Sequence, residues 1–595
     1  MKKISGVDGC KGGWLAFHFD GKIWSENLYK EISQLYSESN SKLILIDIPI
    51  GLRTTESSER LCDLESRKIL NKRKSSIFPA PSRLAIRCKE YRRALQKNKK
   101  ATGRGLSKQS FNIMPKIKFD SYETTGFYDE MFNDDKSVRP QYDLLKKRLE
   151  KMDWKKLNFL QHSTDRAQLS LGMTFNVYSD NQGIERILHL DILPRIISSA
   201  DWNILEKGLI QRIVALNMFI GDIYNEQKVF NDKIIPKELI LSSATYLKQC
   251  IGLKPPENVW AHITGSDLIR SSDGQFYVLE DNLRTPSGVS YMLENREILK
   301  RTFPELFEKM HVRPVYNYSH YLRDMLESLS KVSPASIAVL TPGIYNSAYF
   351  EHAYLAQQMG AELVEGRDLV VKNDFVYMTT TKGLKRVDVI YRRVDDDFID
   401  PLMFNKESLL GTPGLFRAYQ KNNVVLVNAP GTGVADDKAV YAYIPRIIKY
   451  YLGEEILLPN VKTYICAEEK DFNYVIENIH ELVVKQTDAS GGYGMLIGPK
   501  STKQEQSEFK TKIKNNPRNY IAQPVINLSR VPTLTEGSIE GRHVDLRPYV
   551  LYGKEIKIIP GGLTRVALKK GSLVVNSSQG GGSKDTWVLD NNLKK

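Results

Sequence analysis

Cysteine is scarce in this sequence, and long apolar runs are absent from it. Five cysteines are spread over 595 residues, and no two of them form a C-x-x-C pair. This scatter indicates neither a disulfide framework nor a zinc site, so we expect a protein of the reducing cytoplasm. The sequence also has no apolar stretch of about 20 residues and no signal-peptide pattern, and we therefore expect no membrane partner.

Acidic residues are scarce only in the first fifth of the chain. Residues 1–120 hold 25 lysines and arginines against 12 aspartates and glutamates, whereas the rest of the chain holds 60 against 58. Such an excess favours a polyanion at this N-terminal module: nucleic acid, an acidic partner or an acidic surface. The alternative interpretation is a solvated basic helix face that has no ligand.

A predicted acidic hairpin is not followed nearby by a phosphate-binding loop. GSDLIRSSDGQFYVLEDNLRTPSG (265–288) reads as two strands joined by a Ser-Ser-Asp-Gly turn. Glu280 and Asn282 are two residues apart and share one strand face, and hairpin pairing brings Asp267 near them. Two carboxylates and an amide oxygen suit Mg²⁺. The phosphates that such a metal would hold must therefore be bound by another part of the chain.

The missing phosphate contacts lie about two hundred residues downstream. VVKQTDASGGYGM (483–495) places Lys485 at the end of a predicted buried strand, before a glycine-rich turn. Glycines let backbone N–H groups approach phosphate oxygens closely, and a lysine adds a point charge. VADDKAVYAYI (434–444) supplies a second lysine, Lys438, at a predicted helix start, and YIAQPVI (520–526) predicts a strand whose backbone could border adenine.

Together these segments resemble the ATP-grasp superfamily, although their order is permuted because the acidic hairpin precedes the lysine strands. The nearest resemblance is to the circularly permuted ATP-grasp family related to glutathionylspermidine synthetase, over about residues 122–595. The runs VLEDNLRTPSGVSYMLENR and NAPGTGVADDKAVY carry much of it. The acidic hairpin is then expected to meet the lysine strands in space rather than in sequence.

The resemblance implies an activity and a role for each matching residue. Superfamily members usually transfer the γ-phosphoryl group of ATP to a carboxylate, and an amine then attacks the acylphosphate, giving an amide, ADP and phosphate. We therefore expect a ligase that uses ATP and Mg²⁺ and joins small-molecule or peptide substrates. The implied roles are metal ligation for Asp267, Glu280 and Asn282; phosphate binding for Lys438 and Lys485; the loop over the triphosphate for Ser490, Gly491, Gly492, Tyr493 and Gly494; the adenine border for Gln523, Pro524 and Val525; stabilisation of developing negative charge for Arg284; clamping of a phosphate or carboxylate for Arg547 and Arg565; and a second glycine-rich lid for residues 578–585.

The first 120 residues resemble a second, poorly characterised family with an expected RNase H-like fold and nuclease activity. GVDGCKGGWLA, IDIPIGL and RKSSIFPAPSR carry the resemblance. In such enzymes carboxylates on neighbouring strands bind metal ions, and the matching candidates here are Asp8, Asp47 and Asp63. The later acidic motifs of that family are missing, so we expect a partial module that docks a partner or presents a substrate.

The expected fold class is α/β with α+β lobes, in four regions. These are a partial RNase H-like module (1–120), a helical region with the metal hairpin (122–330), a Rossmann-like, doubly wound pre-ATP-grasp domain (331–425) and the nucleotide-binding lobes of the circularly permuted ATP-grasp (426–595). Two alternatives to the ligase are a metal-dependent nuclease with a regulatory ATP-grasp part and a degenerate ATP-grasp that binds nucleotide as a scaffold.

Overall fold

The computed structural model describes most of the chain after residue 121 and selected segments before it. The described residues of the first segment are 4–10, 13–19, 24–30, 34, 35, 38, 43–47, 85, 91–102, 104–106, 117 and 119. After residue 121, all residues are described except 180, 181, 489–493, 536, 537, 573, 574, 576–579 and 591–595. The chain divides into two compact units, one of Met1–Lys118 with Arg148–Leu157 and one of Phe119–Lys147 with Asn158–Lys595.

The first unit contains a four-stranded sheet of order β3-β2-β1-β4. Its elements are β1 (Ile4–Cys10), β2 (Gly13–Phe19), β3 (Trp24–Tyr29), β4 (Leu43–Asp47) and helix α1 (Tyr91–Thr102). Strands β1 to β3 form an antiparallel meander, whereas β4 pairs with β1 in parallel. A parallel pair cannot be joined by a tight hairpin, and β2 and β3 lie between β1 and β4 in the chain.

The second unit is built around a sheet that combines early and late strands of the chain. Strand β8 lies between β22 and β23, although both of these follow it far along the chain. The strands of this sheet are β7 (Leu190–Ile197), β8 (Ile263–Arg270), β9 (Phe276–Asn282), β21 (Arg530–Thr535), β22 (Ser538–Arg547), β23 (Tyr549–Tyr552), β24 (Ile556–Ile558), β25 (Leu563–Val566) and β26 (Gly582–Val588). This interleaving brings the acidic hairpin to the later strands.

A smaller antiparallel sheet of order β17-β20-β18-β19 carries the lysine strand. Its strands are β17 (Tyr464–Ile465), β18 (Leu482–Gln486), β19 (Met495–Ile497) and β20 (Tyr520–Pro524). Val475 on one flanking helix and Ile513 on another are fully buried in the same apolar cluster as Val484 of β18. The sheet therefore has its own small core beneath Lys485.

A four-stranded parallel sheet of order β11-β10-β15-β16 lies between these regions in the sequence. Its strands are β10 (Ile337–Leu340), β11 (Glu362–Val364), β15 (Val389–Arg392) and β16 (Val425–Val427). Two antiparallel sheets complete the strands: β5 (Thr174–Ser179) with β6 (Gln182–Ile187), and β12 (Leu369–Lys372) with β13 (Phe375–Thr380) and β14 (Gly383–Arg386). The runs of β10, β15 and β16 are almost entirely apolar because parallel strands are covered on both faces.

The longest helix among the described residues is α4, which contributes many buried side chains to the main apolar cluster of the second unit. The helices after α1 are α2 (Asp143–Leu149), α3 (Trp154–Ser170), α4 (Ser199–Tyr224), α5 (Lys228–Asn231), α6 (Lys237–Leu241), α7 (Val289–Thr302), α8 (Pro304–Lys309), α9 (Tyr318–Ser328), α10 (Tyr349–Met359), α11 (Leu415–Gln420), α12 (Lys438–Tyr441), α13 (Ile444–Leu452), α14 (Glu469–Asn478) and α15 (Lys503–Asn515). Ser198 caps α4 by accepting from the Asp201 N–H at 3.1 Å. No helix in the described part of the chain is long and apolar enough to cross a membrane.

Candidate nucleotide and metal site

The acidic hairpin has the pairing that the sequence predicts. Asp267 on β8 lies directly opposite Glu280 on β9, and Gly265 lies opposite Asn282. The register shifts after Asp267, where Leu268 pairs with Val278, so one residue of β9 bulges out. Asp267, Glu280 and Asn282 therefore lie together at the end of the hairpin that is distant from its turn.

Asp267 is held by two arginines from later strands. Arg547 donates from Nε to Oδ1 at 2.5 Å and from Nη2 to Oδ2 at 2.8 Å, and Arg565 donates from Nη2 to Oδ2 at 2.6 Å. Arg565 also donates from Nε to both carboxylate oxygens of Asp545, its cross-strand neighbour. Burial alone would raise the pKa of Asp267, but the two guanidinium groups outweigh it and hold the pKa below its usual value. Asp267 is therefore ionised in the folded protein.

The donor set at the hairpin fits Mg²⁺. Glu280 is 29% exposed, and its nearest cationic atoms are Lys438 Nζ at 3.7 Å and Arg547 Nη2 at 4.0 Å. Asn282 donates its amide nitrogen to the Gly265 carbonyl at 3.0 Å, which leaves its amide oxygen as a ligand. Within the described residues, no group of three or more histidine, cysteine or acidic side chains forms a metal cage. Phosphate oxygens and water would complete the shell, as is usual for Mg²⁺.

Lys438 reaches the acidic hairpin from the first turn of α12. Asp437 caps this helix by accepting from the Ala439 N–H at 2.9 Å, and Arg518 pairs with Asp437 at 2.6 Å. The Lys438 N–H donates to the Thr487 carbonyl at 3.1 Å, which ties the helix start to the end of the lysine strand β18. Both lysines are thereby positioned by one local hydrogen-bond network.

Lys485 is half-buried and hydrogen-bonded to the neighbouring strand. Its Nζ donates to Gln523 Oε1 at 2.8 Å, and Gln523 in turn donates to Thr463 Oγ1 at 2.9 Å. Removal from water lowers the pKa of Lys485 to about 8; Glu280 partly counteracts this, and Lys438 adds to it. Water stabilises the Lys485 ammonium only weakly in this environment. The negative charge of a triphosphate would therefore stabilise it strongly.

The adenine border and the triphosphate loop are described only in part. Pro524 ends β20 and pairs with Leu482; because proline has no N–H, only Gln523 and Val525 of this segment can donate from the backbone to a base. Gly494 has a φ of +66°, and a Cβ there would lie 2.0 Å from Gln486 Oε1. The other four loop candidates, Ser490, Gly491, Gly492 and Tyr493, lie outside the described residues.

The three candidate arginines contact different carboxylates. Arg547 and Arg565 are engaged by Asp267 and Asp545, so in this structure they orient carboxylates. Arg284 faces a different carboxylate, with its Nε 3.6 Å from Asp395 Oδ1. Burial would lower the pKa of Arg284, but Asp395 and Asp436 outweigh it and raise the pKa.

Two residues near the site were not predicted as members of it. Asp436 Oδ1 accepts from the Leu283 N–H at 2.6 Å, just after the hairpin, and burial raises the pKa of Asp436 to about 7. Its place beside Lys438 in VADDK was the available signal, because Lys438 was already a candidate for phosphate binding. Arg518, which pairs with the cap of α12, lies far along the chain and no local pattern identifies it.

The structure corrects the expected second lid over residues 578–585. Gly582–Asp585 belong to the fully buried strand β26. Lys584 is completely buried, where its Nζ donates to the Leu193 carbonyl at 3.0 Å and the Pro532 carbonyl at 2.9 Å and pairs with Asp191. Residues 582–585 therefore join strands inside the sheet. Residues 578 and 579 of the expected lid lie outside the described part of the chain.

Two of the N-terminal candidates lie side by side on the backbone. Asp8 on β1 is the parallel partner of Asp47 on β4. Asp63 lies outside the described residues. A metal-binding role for these aspartates stays a prediction.

Comparison with known proteins identifies the two parts of the chain. Residues 194–567 match the family described as circularly permuted ATP-grasp type 2, and residues 6–124 match a family described as a protein of unknown function, DUF429. The second match covers the segment in which we expected an RNase H-like module.

Similar proteins occur in several bacteria. An uncharacterised protein of Synechocystis sp. is 57% identical over 80% of this chain and 99% of its own length, and one of Mycobacterium bovis is 48% identical over 79% and 86%. A Frankia casuarinae protein named "Putative glutamate--cysteine ligase 2-2" is 39% identical over 80% of this chain, which spans 55% of that protein.

A solved structure shares the fold at low sequence identity. A glutathione synthetase-like effector from Globodera pallida, in its apo form, matches 74% of this chain and 98% of its own with a TM-score of 0.50 and 12% identity. At that identity the likeness concerns the fold alone. With the family match over residues 194–567, it confirms the expected ATP-grasp-like α/β fold, and the chain belongs to the circularly permuted ATP-grasp type 2 family.

Proposed function

We propose that this protein is an ATP- and Mg²⁺-dependent ligase that joins a carboxylate to an amine. The observation that carries the proposal is the approach of Lys438 Nζ to within 3.7 Å of Glu280, because it brings a candidate phosphate-binding lysine next to a candidate metal-binding carboxylate from a distant part of the chain. The ligase name of the Frankia relative supports the same class.

In the proposed reaction, a substrate carboxylate oxygen attacks the γ-phosphorus of ATP and ADP leaves. The amine nitrogen then attacks the acyl carbon, phosphate leaves with the bonding electrons, and the new amide nitrogen loses a proton. Lys438 and Lys485 would hold the phosphates, while Arg547 and Arg565 keep Asp267 ionised and in place. Glu280 and Asn282 would hold Mg²⁺, which offsets the repulsion between the two anions.

The proposal predicts that Glu280→Gln and Lys485→Met each reduce ADP formation by at least about 100-fold, because each removes charge that the transferred phosphoryl group requires. ADP release would be measured with ATP, Mg²⁺ and a panel of carboxylate and amine pairs drawn from amino acids, peptides and polyamines. Lys449→Met, an exposed lysine on α13, is the control. ADP formation that survives both site variants would contradict the proposal, and nucleotide binding without turnover on any pair would favour the scaffold alternative.

We also propose that the N-terminal module binds a polyanion. Helix α1 exposes five cationic side chains, Arg92, Arg93, Lys97, Lys99 and Lys100, and contains no acidic residue. None of the five makes an ion pair with another described residue. A concentrated positive charge of this kind attracts phosphates through counterion release.

A further inference from the structure

The loop that follows the metal hairpin is held by side chains of the parallel sheet. This loop, Leu283–Gly288, carries Arg284 and leads into α7. Asn428, directly after β16, donates to the Leu283 carbonyl at 2.6 Å and the Ile263 carbonyl at 2.7 Å, and accepts from the Ile263 N–H at 2.9 Å. The parallel sheet therefore has direct contact with the end of both hairpin strands.

A buried ion pair from the same sheet region holds the far end of the loop. Arg393 follows β15 and donates from Nη1 to the Pro286 carbonyl at 2.6 Å and from Nη2 to Glu351 Oε1 at 3.2 Å. Glu351, on α10, accepts at Oε2 from the Gly288 N–H at 2.7 Å and from the Ser290 N–H at 3.1 Å. The side chains of Arg393 and Glu351 are 3% and 0% exposed. Removing either side chain would leave the other charge buried and unpaired, which strongly destabilises a folded protein.

The next carbonyl of this loop is bonded to the arginine that holds Asp267. Arg547 donates from Nη1 to the Ser287 carbonyl at 3.2 Å, and Tyr549 donates its hydroxyl to the same oxygen at 3.1 Å. Arg393 and Arg547 thus bind adjacent carbonyls, those of Pro286 and Ser287. A shift of the loop would move the Arg547 guanidinium, and with it the carboxylate of Asp267 opposite Glu280.

We propose that Arg393 and Glu351 are positioning residues for the phosphate and metal site, acting through the Leu283–Gly288 loop. This inference rests on the proposed function, because it assumes that Asp267, Glu280 and Arg547 serve a bound nucleotide. It goes further by assigning to the parallel sheet the control of the geometry at that site. Partners of this indirect kind typically change metal affinity or activity by about 10- to 100-fold when mutated.

The test is the Mg²⁺ concentration that half-saturates ATP binding in the full-length chain, measured beside the unfolding temperature. The variants are Arg393→Lys, Arg393→Met and Glu351→Gln. The matched control is Arg296→Met, since Arg296 is equally buried and forks onto Asp585 at 2.9 and 3.1 Å but does not contact the loop. We expect Arg393→Met and Glu351→Gln to raise the half-saturating Mg²⁺ concentration at least about 10-fold. Arg393→Lys should recover part of that loss, and Arg296→Met should lower the unfolding temperature without a change in Mg²⁺ dependence.

The possible results separate this inference from the proposed function. Variants that unfold at a lower temperature but keep the wild-type Mg²⁺ dependence would show a purely structural ion pair and overturn the inference. If Arg393→Met fails to fold, Arg393→Lys and Glu351→Gln decide the matter alone, because both retain a hydrogen-bonding side chain of similar size. A wild-type chain that binds no ATP with Mg²⁺ would overturn the nucleotide site itself, and the positioning role with it.

Discussion

Lys485 is the residue whose environment has the clearest chemical consequence. Removal from water lowers its pKa to about 8, so the ammonium is charged below that pH and increasingly neutral above it. A triphosphate favours the charged form and would raise the pKa of Lys485 on binding. Around pH 8, nucleotide binding must therefore be accompanied by proton uptake.

We predict that ATP binding at pH 8 takes up roughly half a proton per site, since the group is half-ionised there in the free protein. Isothermal titration calorimetry in two buffers of different ionisation enthalpy, such as phosphate and Tris, would measure it. Lys485→Met should abolish the buffer-dependent difference in heat, whereas Lys438→Met should weaken binding and keep that difference. Identical heats in both buffers for the wild type would contradict the assigned pKa shift.

At the scale of elements, the link between the acidic hairpin and α7 depends on one glycine. Gly288 has a φ of +111°, and a Cβ there would lie 2.6 Å from the Tyr549 hydroxyl and 2.8 Å from Leu563. Tyr549 is itself buried and bonded to the Ser287 carbonyl. The hairpin can therefore turn into α7 at this closeness only with glycine at that position.

We predict that Gly288→Ala destabilises the chain more than Gly252→Ala does. Both sites have a positive φ, but a Cβ at Gly252 meets no atom within 4 Å. Backbone strain costs about 1 to 2 kcal/mol in each variant, and the clash adds about 1 to 3 kcal/mol only at Gly288. Urea unfolding followed by tryptophan fluorescence would give the order of the midpoints. Equal midpoints for the two variants would mean that Tyr549 and Leu563 move aside at little cost.

At the scale of the whole molecule, the charge is concentrated in one unit. Residues 1–120 carry a strong basic excess while the rest of the chain is nearly balanced. We predict that the full-length protein binds a DNA duplex of about 20 base pairs, and that affinity falls steeply with salt concentration. Changing the five cations of α1 to glutamine should weaken this binding and reduce the salt slope.

Fluorescence anisotropy at several salt concentrations would check this prediction. The matched control changes Lys503, Lys510, Lys512 and Lys514 of α15 to glutamine, because that helix is also lysine-rich but carries two glutamates. Unchanged affinity and slope in the α1 variant would exclude this helix as the binding surface. Cleavage of the duplex that depends on Asp8 would instead favour the nuclease alternative.

Local patterns were sufficient for the hairpin and for the family. The alternation around Asp267 and Glu280, with a Ser-Ser-Asp-Gly turn between the strands, predicts their pairing without any distant contact. The family resemblance was confirmed for the same reason, since its motifs are contiguous runs. The roles of the individual site residues stay predictions, which the variants described above would test.

The sequence by itself determined the pairing of the acidic hairpin, the permuted order of its motifs and the uneven charge. Each of these depends on residues close together in the chain. Only the tertiary structure decided that Arg547 and Arg565 bind Asp267 and that Lys584 lies inside a sheet. It also decided that Arg393 and Glu351 hold the Leu283–Gly288 loop. These contacts join segments from different strands and sheets, and they are set by strand order and burial, which no local run of residues encodes.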